Sequence, residues 1–243
     1  MNLRQRVLEL ARTYRRAQAP LTPARLVDGV GVRLAYGRLP EGRFGAWMPE
    51  QNLILLDPQA PPRRQRFTLA HEVMHLLIQQ DHDLLSELHE AYAGGELERE
   101  LEALCNLGAA EMLLPGEVVD AAIARRGQSP RLVLELAEQH KVSEEVAIIA
   151  MAERGPVPSL VLVAGGRPLR VYFSARHPRI PDRLPRGLGF RRDDPLVVAV
   201  ETGLPQKAAS RLPNHSQPYW LEAYPKGGRV YGVYKAQLGG GGL

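Results

Sequence analysis

His71, Glu72 and His75 are the residues of this chain whose types and spacing can do chemistry. They lie in the run His71-Glu72-Val73-Met74-His75, two imidazoles four residues apart with a carboxylate beside the first. On a helix, residues four apart share a face with Cβ atoms about 5 to 6 Å apart. Both rings then reach one zinc ion at roughly 2.0 to 2.1 Å. Glu72, one step round, faces the open position of such a metal. A carboxylate there can take a proton from a water whose pKa the metal lowers from about 15.7 to about 7, producing the nucleophile for a scissile carbonyl. The expected chemistry is metal-dependent peptide hydrolysis, with Glu72 as the base and His71 and His75 as ligands.

A catalytic zinc needs three protein ligands and one open position, so a third ligand is expected downstream. Candidates crowd the segment from Glu96 to Glu111. Glu102 is favoured because Asn106 follows one turn later on the same face, where its side-chain carbonyl can accept the free ring N–H of a ligating histidine and fix the tautomer. Glu98 and Glu100 sit in a polar run that reads as a solvated face. Glu111 has Pro115 at the fourth position and no such partner. These three remain alternatives. His82, His89 and Tyr92, between the two segments, have the right chemistry to stabilise an oxyanion, and the sequence does not choose among them.

The stretches Arg66-Phe67-Thr68-Leu69-Ala70-His71-Glu72-Val73-Met74-His75-Leu76-Leu77 and Glu102-Ala103-Leu104-Cys105-Asn106-Leu107-Gly108-Ala109-Ala110-Glu111-Met112-Leu113-Leu114-Pro115 resemble the ImmA/IrrE family of metallopeptidases. Within that family the resemblance is to the radiation- and desiccation-response subgroup, and it covers residues 1–155. It implies a zincin-like fold, His71, His75 and Glu102 as metal ligands and Glu72 as catalytic base. It also implies a DNA-binding transcriptional repressor of helix-turn-helix type as the protein substrate. The chain departs from the family pattern at Met74, where glycine is common, and at Gly108, where phenylalanine is common.

These side chains need elements to position them. Pro61 and Pro62 open a segment whose Phe67, Leu69, Ala70, Val73, Met74, Leu76 and Leu77 predict a buried helix around the motif. Upstream, a helix is expected from Leu3 to Gln18, and a second begins at Pro23. Short runs at Val32 to Tyr36, Phe44 to Met48 and Asn52 to Leu56 predict an antiparallel sheet, whose edge strand is a candidate to bind an extended peptide beside His71. Residues Ser129 to Glu153 read as two short helices with helix-turn-helix spacing, the second capped by Ser143 with Val146, Ile149 and Ala150 inward. Its first turn presents Glu144 and Glu145, which phosphate repels, so a structural or protein-contacting helix pair is favoured over a DNA-reading one.

After Gly155 the pattern turns to strands at Leu160 to Ala164, Leu169 to Phe173 and Leu196 to Val200. A hairpin from Tyr219 to Tyr224 and Arg229 to Tyr234 is expected around Lys226-Gly227-Gly228. By order and strand pattern this part resembles the GAF-like sensor domain of the subgroup, and Gly239 to Gly242 reads as a flexible tail. The expected fold is therefore α+β: a zincin-like metallopeptidase domain over 1–126, a helix-turn-helix-like segment over 127–155 and a GAF-like α+β domain over 156–243.

Of the 243 residues, 44% are hydrophobic and 24% charged, and no apolar run reaches the 18 residues needed to span a bilayer. The first ten residues read as an amphipathic helix rather than a secretory signal. The single Cys105 excludes an internal disulfide and reads as a small buried hydrophobe, so a cytoplasmic protein without membrane contact is expected. The net charge of +4 conceals an asymmetry: residues 1–155 carry 18 basic and 22 acidic side chains, residues 156–243 carry 13 and 5. The basic half is suited to weak contact with DNA or an acidic partner.

Two functions follow. The first is a site-specific metalloendopeptidase, with Zn2+ as cofactor and Mn2+ or Fe2+ as acceptable substitutes for this mixed ligand set, that cleaves a transcriptional repressor and switches on a DNA-damage response. The alternative is a DNA- or ligand-binding transcriptional regulator in which the metal is structural.

Overall fold

The computed structural model describes residues 2–40, 42–212 and 218–236, which fold as an α+β protein. The Gly239 to Gly242 run lies outside the described residues. Two compact units form: Met1–Pro115 with Lys141–Val146, and Gly116–His140 with Ala147–Leu243.

In the first unit, helix α1 (Leu3–Ala17) starts at Asn2, whose side chain accepts from the Gln5 N–H, and α2 (Pro23–Asp28) starts at Thr22 with proline in its first turn. Strands β1 (Arg33–Tyr36), β2 (Gly45–Met48) and β3 (Leu53–Leu56) follow. The expected antiparallel sheet is in fact mixed, with order β1-β3-β2: β3 runs parallel to β1 and antiparallel to β2. The reason is loop length. A one-turn 3-10 helix (Pro49–Gln51) ending at left-handed Asn52 (φ 48°) folds β2 tightly onto β3. Residues 37–44 are too long for a two-residue hairpin and carry the chain past the slot that β3 fills. Both β1 and β2 are therefore edges.

Helix α3 (Pro62–Gln80) follows the sheet and buries Phe67, Leu69, Ala70, Val73, Met74, Leu76, Leu77 and Ile78. The sequence reading did not anticipate α4 (His82–Ala91), which is capped by Asp81 through the Leu84 N–H. Helix α5 (Gly95–Leu113) packs on both α3 and α1. Its fit against α3 turns on one contact. A Cβ placed on Gly108 would lie 2.5 Å from Cε and 2.7 Å from Sδ of Met74. Met74, fully buried, fills the volume that a side chain at 108 would take. The two departures from the family pattern are thus complementary, a large residue on one helix against none on the other. On the α1 side, buried Glu111 accepts a hydrogen bond from Arg12 Nε at 2.8 Å.

The second unit contains α6 (Gly116–Arg126), α7 (Pro130–Gln139), most of α8 (Glu144–Glu153) and a five-stranded antiparallel sheet. The sheet comprises β4 (Ser159–Gly165), β5 (Arg170–Arg176), β6 (Gln206–Arg211), β7 (Pro218–Lys226) and β8 (Arg229–Ala236) in the order β5-β4-β8-β7-β6. Gly227 and Gly228, at φ 58° and 73°, make the two-residue turn between β7 and β8, as their sequence predicts. Ser143 caps α8, accepting from the Val146 N–H at 3.3 Å, and Gln128 donates to the Met151 and Arg154 carbonyls near the end of α8.

One expected strand is a helix. Leu196 to Val200 lies in α9 (Pro195–Thr202), which packs on β6, β7 and β8. Local chemistry overrides the β-branched composition: Asp194 accepts from the Leu196 N–H at 2.8 Å, Pro195 occupies the first turn, and Gly203 ends the helix at φ 71°. Leu196 and Ala199 join Leu160, Leu162, Val230 and Tyr234 in the core of this unit. The strand β6 was not legible, because its exposed alternate residues are Lys207, Ala209 and Arg211 and only Gln206, Ala208 and Ser210 alternate with them.

Two outcomes are expected from this packing. Gly108→Phe alone should destabilise the protein by about 1–3 kcal/mol through overpacking. Adding Met74→Gly should recover most of that loss, and denaturant unfolding of the four chains of the cycle should give a coupling of at least about 0.5 kcal/mol. Second, burial raises the Asp194 carboxyl to about 6. A group that binds its proton more tightly when folded gives stability that is complete below about pH 4 and is lost as pH rises through 6, up to about 3 kcal/mol. Asp194→Asn keeps a capping acceptor and cannot titrate, so the stability difference between the parent and this variant should fall between pH 3.5 and 7. A difference constant with pH would refute that assignment.

Candidate metal centre

Helix α3 and helix α5 supply the three groups that converge. His71 Nε2 and His75 Nε2, one turn apart on α3, lie 3.1 Å from each other. Glu102 on α5 places Oε2 3.3 Å from His71 Nε2 and Oε1 3.2 Å from His75 Nε2. Two ligands at about 2.0 to 2.1 Å from a tetrahedral ion stand about 3.3 Å apart. Three separations of 3.1 to 3.3 Å match that edge length, so the donor set fits a divalent metal of zinc's size. His71 and His75 are 15% and 18% exposed against 57% for Glu102, so the triad is walled by protein on the histidine side and open on the carboxylate side.

The charges are tuned by their surroundings. Hydrogen bonds with His71 and His75 hold the Glu102 carboxyl well below the usual carboxylate range. Glu72 moves the other way: burial pushes its carboxyl up, while the neighbouring histidines and a backbone N–H donated by Trp47 pull it down. Trp47 reaches it because β2 crosses very close to α3. A Cβ on Gly45 would lie 2.3 Å from Thr68 Cγ2 and 3.6 Å from Glu72 Oε1, so glycine is what admits the strand. On an antiparallel edge, alternate residues turn N–H and C=O outward. Trp47 and, two residues back, Gly45 therefore face the outer edge beside Glu72.

A cleft of about 240 Å3 joins these groups, lined by Phe44, Gly45, Arg64, Thr68, His71, Glu72, Glu102 and Asn106 among others. Asn106 is on its wall, but His71 Nδ1 is buried without a hydrogen-bond partner, and the expected bond from a histidine ring to Asn106 is not formed. Neither Glu98 nor Glu100 joins the triad, and Glu111 is engaged by Arg12 instead. His82, His89 and Tyr92 do not line the cleft. Cys105 is fully buried, and burial pushes its thiol up, which leaves it inert as a nucleophile.

The sequence reading missed Arg64 and Phe44. The Arg64 guanidinium stacks over the Phe44 ring at 4.8 Å and pairs with Glu145 of α8. Arg64 lies seven residues before His71, two turns along the same face, and that periodicity was the available signal.

The IrrE N-terminal-like domain family matches residues 29–151, which include the whole triad and Glu72. The chain belongs to the ImmA/IrrE family. Two relatives named radiation response metalloprotease IrrE share 36% identity with it over 93% of its length. One, from Deinococcus deserti, is covered over 85% of its own length, and the other, from Deinococcus radiodurans, over 75%. Among solved structures, a Mycobacterium tuberculosis protein described as a transcriptional regulator aligns with 94% of this chain and 76% of its own. The TM-score is 0.65 at 14% identity, a likeness of fold. No helix among the described residues is long and apolar enough to cross a membrane.

If the triad holds a metal, Glu102→Ala should strip most of the ion from protein dialysed against buffer containing trace zinc, measured by elemental analysis. Glu98→Ala should leave the metal content unchanged. Equal retention in both would remove Glu102 from the ligand set.

Proposed function

We propose that this protein is a metal-dependent endopeptidase that cuts a DNA-binding transcriptional repressor at a specific bond and so switches on a DNA-damage response. The observation that carries the reading is the convergence of His71, His75 and Glu102 beside Glu72 in a cleft bordered by the free edge of β2. The names of the two 36% identical relatives support the radiation-response context. Zinc is our choice of ion, since two imidazoles and one carboxylate suit it, and manganese or iron(II) would also be accepted.

A metal held by this triad would polarise the scissile carbonyl and acidify water. Glu72 takes a proton from the attacking water and passes it to the leaving amine nitrogen, which makes the amine a viable leaving group. Its half-buried position favours that exchange, because a carboxyl pushed upward by burial holds a proton more readily than a solvated one. The outward N–H and C=O of Gly45 and the C=O of Trp47 would pair with an extended substrate, laying its backbone along β2 across the cleft. Asn106 would orient groups from the cleft wall. Phe44 and Arg64 at the far end form an apolar and cationic wall for one substrate side chain.

Outside the catalytic unit, we read the five-stranded antiparallel sheet with α9 as a GAF-like sensor module. The helix pair α7 and α8 serves protein contact rather than DNA reading, because the first turn of α8 is acidic and Glu145 is engaged by Arg64. The basic residues after 155 provide weak attraction to DNA, where a repressor is found. Such a substrate places the reaction in the cytoplasm.

Glu72→Gln separates proteolysis from a purely regulatory role. The variant should bind metal as the parent does and lose about 10²- to 10⁴-fold in cleavage of repressors from the same genome, read by gel and mass spectrometry. A Glu72→Gln chain that still raises the cellular response would end the protease reading.

A further inference from the structure

A second cleft in the first unit, of about 370 Å3, is bounded by the end of α1, the chain entering α2, α3 and the end of α5. Arg15 and Arg16 of α1 and Arg66 of α3 line it, with Leu21, Met112 and Leu113 among its apolar walls. Arg66 is five residues from His71, about 140° round α3, and the two clefts share no lining residue. No carboxylate lines this one. Arg16 reaches Glu9 at 3.3 Å and Thr13 at 3.2 Å. Arg15 and Arg66 make no ion pair or hydrogen bond among the described residues, although both are only partly exposed. Holding guanidinium groups together against apolar walls without an anion is unfavourable.

We propose that this cleft binds a small molecule carrying a phosphate group. Three guanidinium charges less the Glu9 carboxylate leave +2, and a phosphate monoester carries about −1.5 to −2 at pH 7. Guanidinium forks match phosphate oxygens bidentately. Ala19, Pro20 and Leu21 cover the apolar remainder of the molecule, and a cleft of this volume is at the small end of ligand sites. The occupant would join α1 to α3 and α5, the helices that carry His71, His75 and Glu102, so binding would be felt by both walls of the metal centre. The inference does not depend on what that centre cleaves.

The test titrates the full chain with inorganic phosphate and with phenyl phosphate, against sodium chloride at matched ionic strength, by thermal shift and calorimetry. Both phosphates should bind saturably, phenyl phosphate more tightly, and Arg15→Gln/Arg66→Gln should weaken each by at least about tenfold. In the parent protein, independently of any variant's folding, phenyl phosphate should shift the NMR signals of the Leu21 methyls, which line the cleft and are partly exposed, and leave that of the Met151 methyl unmoved. A non-saturable response, equal binding by the double variant, or unmoved Leu21 methyls would overturn the proposal.

Discussion

A carboxylate on one helix can meet two imidazoles on another only where the backbones run close, and the Met74–Gly108 contact sets that approach for α3 and α5. Gly108 lies six positions after Glu102, and Met74 directly precedes His75. The methionine fills what would otherwise be a groove, and the glycine makes space for it. Without this fit, donor separations of 3.1 to 3.3 Å would not persist, because a shift of a few tenths of an ångström spoils a ligand set. Apolar packing beneath the site therefore determines its polar geometry.

A second close approach, of β2 on α3 at Gly45, does for Glu72 what the helix contact does for the ligands. It brings a backbone N–H to the carboxylate and leaves a free strand edge alongside. One glycine thereby couples the Glu72 carboxylate to a free strand edge. Burial and hydrogen bonding push the two carboxyls of the centre in opposite directions: Glu102 is stabilised as an anion, Glu72 is drawn toward its protonated form.

The elements around the site were legible to the extent that their signals are local. Asn2, Thr22 and Ser143 announce helix starts, and Gly227-Gly228 announces a hairpin, because caps and turns act over three or four residues. Leu196 to Val200 was misread as a strand, since its branched residues outweighed the Asp194-Pro195 cap and the Gly203 stop. The parallel pairing of β1 with β3 had no local signature at all, being set by which strand reaches the slot. Arg64 and Phe44 escaped notice because a cleft wall is assembled from three elements and belongs to none of their sequences.

What could be read without the fold is residue type and period: His71, Glu72 and His75 sit at a helical spacing that could serve one metal, and Glu102 is a carboxylate on a second apolar helix. Side-chain type and helical period are properties of a few consecutive residues, and tertiary context does not alter them. Packing settles the rest: Glu102 faces the histidines while Glu111 is engaged by Arg12, β2 is the edge beside Glu72, and His71 Nδ1 has no hydrogen-bond partner where Asn106 was expected to supply one. Each of these depends on the distance and rotation between packed elements, which are fixed by contacts between residues far apart in the chain.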